Sequence, residues 1–217
     1  MGEIEERPLM VVVAGANGSG KTSFMRDCLS REWFLPEAWI NPDEIAQKIG
    51  NWNDPACVKR ANIEASFRLK HLLEQRKSFA FESVLSVYPH KFFQKAKNSG
   101  YSIYMIYLGT NSPEINAGRV MRRFLQGGHA VPIEKVGSRY LKSLSNAIRF
   151  AAISDLSIIF DASEEGPPTH VLSVRKGAIT WQNGEGHDHW YSIFHDHFPK
   201  DIEAPVLSPP EWFRPSP

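Results

Sequence analysis

A chain of 217 residues, 42% apolar and 23% charged, has the composition of an ordinary globular domain with room for a full core. Its formal net charge of +1 excludes a protein that gathers nucleic acid or anionic membrane through its overall field, so basic residues act locally or not at all. Cys28 and Cys57 form no metal or redox spacing, and the N-terminal apolar run from Leu9 to Ala14 is too short for a signal segment or membrane span, which predicts a cytoplasmic chain.

Met10 to Ala14, short, continuous and β-branched, predicts a buried parallel strand, followed by a helix from Lys21 to about Ser30. Ala38 to Ile40 predicts a second strand. NPDEIAQKI then opens a helix, with Asn41 as cap, Pro42 at the first helical position and Glu44 as the acid of a capping box. Helical periodicity covers 55–76, a third strand 78–83, a helix 88–98 and a fourth strand 102–108. Ser112-Pro113-Glu114 opens a helix that stops at Gly127-Gly128, Pro132 starts one reaching about Phe150, and 156–161 is a fifth strand. Regular alternation of strand and helix predicts a three-layer α/β fold around a mainly parallel five-stranded sheet. Residues 170–182 add two strands turning at Lys176-Gly177, and the rest reads as an appendage or tail.

Between the first strand and its helix, Gly15 to Thr22 spell G-A-N-G-S-G-K-T, a full match to the phosphate loop G-x-x-x-x-G-K-[ST]. Glycines let successive backbone N–H groups turn inward on phosphate oxygens, and the helix adds its positive end. Gly15, Asn17, Gly18, Ser19, Gly20, Lys21, Thr22 and Ser23 are therefore the expected nucleotide contacts. Lys21 would reach the β- and γ-phosphates of ATP, and the Thr22 hydroxyl Mg²⁺.

A phosphoryl acceptor needs a group to orient or deprotonate its hydroxyl. Asp43, just past the second strand, and Glu82, at the end of the third, lie where such a pocket forms in a parallel sheet. Each has a plainer reading: Asp43 as an acid favouring a helix start, Glu82 as a surface acid or water-mediated Mg²⁺ partner. Arg119, Arg122 and Arg123 share one helical face, and Arg139 follows in the next helix, beyond the Gly127-Gly128 break. Arginine-bearing helices joined at a glycine break have the form of a lid; the plainer reading is a solvated basic face. His129 in that break reads as a loop contact.

AGANGSGKTS, NPDEIA, SFAFESVLS, the segment from Gly100 to Pro132 and SRYLKSL leading to IIFDAS occur in an order that resembles the zeta toxin family of bacterial P-loop kinases, in its short single-domain branch. The resemblance spans about Met10 to Ser163. It implies an ATP- and Mg²⁺-dependent kinase acting on a small-molecule hydroxyl acceptor, with a nucleotide sugar such as UDP-N-acetylglucosamine as the family's characterised acceptor, and a small antitoxin protein as partner. By the same resemblance Asp43 is the general base, Glu82 holds the acceptor, Arg119 or Arg123 with Arg139 stabilises the transferring phosphate, and Arg122 falls at a more variable place. ESVLSV lacks the family's Thr-rich turn with its Gly, and FDAS replaces the Asn that often follows Asp161.

Residues 1–165 thus read as the kinase core with its lid at about 119–139, and 166–217 as a hairpin and tail of the same domain. In that tail His187, His189, His195 and His197, with Asp188 and Asp196, make two H-x-H units whose plain reading is surface chain and whose sharper one is a metal site. Rival functions are a kinase of a nucleoside, a sugar acid or a nucleic-acid 5′-hydroxyl, and a non-catalytic module that closes on ATP to recruit a protein. The near-neutral charge argues against the polynucleotide.

Overall fold

A computed structural model of the chain describes residues 7–30, 38–128, 131–183 and 190–201. Among these, seven strands form one sheet in the order β2-β3-β1-β4-β5-β6-β7. The strands are β1 (Leu9–Ala14), β2 (Ala38–Ile40), β3 (Phe79–Ser83), β4 (Ser102–Gly109), β5 (Leu156–Asp161), β6 (Thr169–Arg175) and β7 (Ala178–Gln182). The first five run parallel, as expected, and the β6–β7 hairpin continues the same sheet antiparallel beyond β5.

β1 lies between β3 and β4, which explains why its sequence is apolar at every position rather than alternating. Val11 and Val13 face α1 (Lys21–Ser30), packing with Phe24, Met25 and the β5 side chains Ile158 and Phe160. Met10, Val12 and Ala14 face the other way, into a larger core built from α3 (Pro55–Glu74), α4 (His90–Asn98) and α6 (Ile133–Ala151), through Leu73, Phe93 and Phe150. No helix among the described residues is long and apolar enough to cross a membrane.

The C-terminal segment differs from an appendage. Trp190–Phe194 form a 3₁₀ turn whose Tyr191 and Phe194 are buried in the larger core, together with Phe198. The Trp190 ring lies so close over Gly109 that a Cβ there would stand 2.2 Å from it. The spacing of Trp190, Tyr191, Phe194 and Phe198 is that of one buried face, which the surrounding histidines and prolines obscure.

Two more helices complete the frame of the crevice at the carboxyl ends of β1 and β3: α2 (Pro42–Ile49) after β2, and α5 (Pro113–Leu125) after β4. α5 and α6 share only a small cluster of Val120, Val131 and Val136.

Candidate active site

The phosphate loop leaves β1 at Ala14 and enters α1 at Lys21, so the helix N-terminus points into the crevice. Gly18 has φ +83°, and a Cβ there would lie 2.4 Å from the Asn116 carbonyl oxygen; α5 presses directly on the loop. Asn116 is fully buried. Its Nδ2 donates to the Asn17 carbonyl at 2.7 Å, and its Oδ1 accepts from the Thr110 hydroxyl. Lys21 Nζ donates to the Ala16 carbonyl at 3.0 Å and stands 3.7 Å from Glu82 Oε1. Burial pushes the Lys21 pKa below the usual lysine range, against the neighbouring carboxylates of Glu82 and Asp43, which raise it.

The β1–β3 register sets Glu82 beside Val13, at the mouth of the loop. Its Oε2 accepts from Thr22 Oγ1 at 2.8 Å and from Asn41 Nδ2 at 2.9 Å. Asn41 is the α2 cap the sequence predicts, its Oδ1 accepting from the Asp43 amide at 2.9 Å. One buried amide therefore ties the two acids together: it positions Asp43 with one end and Glu82 with the other. Both Glu82 oxygens are turned towards the phosphate loop.

The arginines divide. Arg119 spans the loop after β5, donating to the carbonyls of Ala162 at 2.5 Å, Ser163 at 3.0 Å and Glu164 at 2.9 Å. Arg122 pairs with Glu165 at 3.0 Å on the exposed surface. Arg139 Nη1 donates to Asn17 Oδ1 at 3.1 Å. Arg123 is the unusual one: its Nε is buried with no hydrogen-bond partner among the described residues.

These groups meet around one cavity of about 530 Å³. Its lining includes Asn17, Gly18, Gly20, Lys21, Thr22 and Ser23 from the loop side, and Asp43 and Glu82 opposite. Arg119, Arg123 and Arg139 close it from the α5–α6 side, so four cationic side chains face two acidic ones. Gly15 and Ser19 are not part of this lining; Ser19 is fully buried beneath the loop. Among the described residues no cluster of three or more His, Cys, Asp or Glu side chains could hold a metal ion. His129, His187, Asp188 and His189 lie outside the described residues, while His197 Nδ1 meets the Ile193 carbonyl at 2.8 Å.

Several positioning residues escape a motif reading. Tyr140 Oη donates to the Thr110 carbonyl at 2.6 Å, and Asn146 Nδ2 to the Leu85 carbonyl at 2.7 Å. The second bond helps hold Leu85 at φ +52°, a conformation costly for a bulky residue. This turn is thus held by side chains, with the Leu85 amide donating to Ser83 Oγ at 3.0 Å. Asp161 Oδ1 accepts from Ser163 and from Trp190 Nε1 at 3.2 Å, which binds the C-terminal segment to the end of β5. No local pattern in α5 or α6 singles out Asn116 or Asn146, whose partners lie far away in sequence.

No protein-family model matches the chain. Its fold is the zeta-toxin-like P-loop kinase fold. The structure of AvrRxo1-ORF1:-ORF2 with ATP superposes with a TM-score of 0.64 at 18% identity, over 93% of this chain and 65% of that one, just under two thirds of its length. The PezAT chromosomal toxin-antitoxin system of Streptococcus pneumoniae superposes with a TM-score of 0.53 at 16% identity, over 89% of this chain and 79% of that one. An uncharacterized protein of Haemophilus influenzae is 30% identical over 136 residues, covering 60% of this chain and 91% of that protein. The chain belongs to the same family as this Haemophilus protein.

Proposed function

We propose that this protein is an ATP-dependent kinase that transfers the γ-phosphate to a hydroxyl of a small molecule. The observation that carries the reading is the single cavity in which Lys21 and Thr22 face Asp43 and Glu82 beneath Arg123 and Arg139. A triphosphate on the loop amides would draw Lys21 Nζ off the Ala16 carbonyl and restore the anionic partner that burial makes it need. The Thr22 hydroxyl and Glu82 carboxylate are hard oxygen donors side by side, a set that suits Mg²⁺, which would neutralise charge on the phosphates.

In the transfer, the acceptor oxygen bonds to the γ-phosphorus as the bond to the β-bridging oxygen breaks, and the hydroxyl proton passes to Asp43. ADP leaves with that oxygen's electrons. Arg123, holding an unpaired buried Nε, and Arg139, lightly held by Asn17, are the cations free to meet charge on the moving phosphoryl. Glu82 in this reading orients Thr22 and borders the acceptor space. Arg119 acts through the loop after β5, on the nucleotide side of the cavity.

Mg²⁺-ATP labelled at the γ-position, incubated with nucleotide sugars including UDP-N-acetylglucosamine, nucleosides and sugar acids, tests the proposal. Label should move to a hydroxyl, and Asp43→Ala should slow transfer by about 10²–10⁴-fold while ATP affinity holds. Normal ATP binding with no labelled acceptor would sink it. The AvrRxo1 and PezAT neighbours are both two-component systems, which supports a small protein partner able to occlude the cavity; a pull-down that ATP competes away would identify one.

A further inference from the structure

Beside the phosphate cavity lies a second, larger cleft of about 1120 Å³, between α3 and the α5–α6 pair. The two spaces adjoin, with Val58, Asn62, Val120 and Arg139 lining both. From α3 the wall presents Ile63 and Phe67, which are 61% and 66% exposed. Across from them stand Met121, Phe124 and Ile133, likewise exposed. These side chains face a gap instead of packing, and such a concentration of open apolar surface inside a concave site marks a ligand. The cleft is also one-signed: Lys59, Lys70, Lys135 and Arg139 line it, and among the described residues no Asp or Glu does.

We propose that this cleft holds the non-reacting body of the acceptor, and that the acceptor is an amphiphilic anion: a hydroxyl-bearing molecule with a hydrocarbon or aryl body and a phosphate, sulfate or carboxylate. The inference rests on the kinase reading for its reacting hydroxyl, which the adjoining cavity sets towards Asp43. It rests on the cleft alone for its body and charge. The apolar body lies between Phe67 and Phe124. Lys135, with Lys59 and Lys70 of α3 also lining the cleft, takes the anion. A bare sugar acid or polyol would leave the apolar wall wet and gain nothing from it.

The test begins with 1-anilinonaphthalene-8-sulfonate, an aryl body with one anion, titrated into the full chain and followed by its fluorescence. Saturable binding is expected, weakened about tenfold by Phe67→Ser and severalfold by Lys135→Glu, with octyl phosphate displacing the dye and inorganic phosphate failing to. Both positions are exposed, and circular dichroism confirms each variant's fold; should Phe67→Ser unfold, Lys135→Glu still reads the anion half. Dye binding unchanged in both variants, or displaced equally by inorganic phosphate, overturns the proposal. So does a dimer in solution that Phe67→Ser dissociates, because the wall then belongs to a second copy. With Mg²⁺-ATP, 1-octanoylglycerol 3-phosphate should accept label at least about tenfold more efficiently than glycerol 3-phosphate, and Phe67→Ser should erase the difference through KM. Equal transfer to the two, or transfer to UDP-N-acetylglucosamine untouched by both variants, overturns the substrate class while the kinase reading stands. No transfer to any acceptor, with the dye behaving as expected, removes the kinase reading and keeps the cleft as an anion-amphiphile site.

Discussion

The floor and the roof of the phosphate cavity are built on opposite terms. On the floor, Thr22, Asn41 and Glu82 satisfy one another at 2.8–2.9 Å, and Lys21 is held between Ala16 and Glu82. On the roof, Arg123 keeps a buried nitrogen unpaired and Arg139 holds the loop by a single bond to Asn17. α5 and α6 share only three buried valines, whereas β1 is packed between two strands and two helical layers. A preorganised floor costs nothing at the moment of reaction, while an unfinished roof gains its missing partners only when substrate arrives. On the proposed kinase reading, the contrast would put rigidity where phosphate is read and adaptability where the acceptor enters.

Removing a roof cation should therefore hurt turnover far more than binding. Arg123→Ala is expected to lower kcat by about 10³-fold with ATP affinity kept within severalfold, checked by single-turnover label transfer beside fluorescent-nucleotide titration. A matching loss of affinity would erase the distinction between floor and roof. Away from both, His170 provides a control on global stability. Stacked on Trp181 with ring centroids 3.9 Å apart, it is driven by burial from the usual histidine value down to about 4. The unfolded chain gains its proton near 6.5 and the folded one only near 4. The His170 contribution to stability is thus complete above about pH 6.5 and falls by up to about 3 kcal/mol as pH drops to 4. Chemical denaturation of His170→Gln across that window should show a flatter slope.

On the floor, Glu82→Gln removes the carboxylate that raises the Lys21 pKa. The alkaline loss of ATP affinity, already below the ordinary lysine range because of burial, should then begin at lower pH. An unchanged alkaline limb would mean Lys21 is not the titrating group. The smallest effect tests the one tie between the two regions: Asn17→Ala frees Arg139 at a cost of about 1 kcal/mol in thermal or denaturant stability.

Most of the frame was legible in the chain. The first strand announced itself by an unbroken apolar, β-branched run, the later parallel strands by short apolar stretches, and the Lys176-Gly177 turn by its composition; all lie where the pattern put them. Asn41 was readable as a cap because capping is local. Its second bond, to Glu82, was not, because that contact depends on β2 and β3 becoming neighbours, forty-one residues apart in sequence. The same holds for Asn116, whose partner Asn17 is ninety-nine residues away. The C-terminal aromatics were hidden differently: three buried rings and the partly buried Trp190 sat inside a segment whose histidines and prolines mimic solvent-exposed chain.

That burial bears on how the protein is made. β4 sits at the middle of the sheet, yet Gly109 is roofed by Trp190, whose ring also lies against Tyr107 of the same strand. As the polypeptide emerges from the ribosome, the central strand stays partly uncovered for some eighty further residues of synthesis. A nascent chain stalled before Trp190 would carry an open oily seam in its middle, a natural foothold for chaperones and proteases.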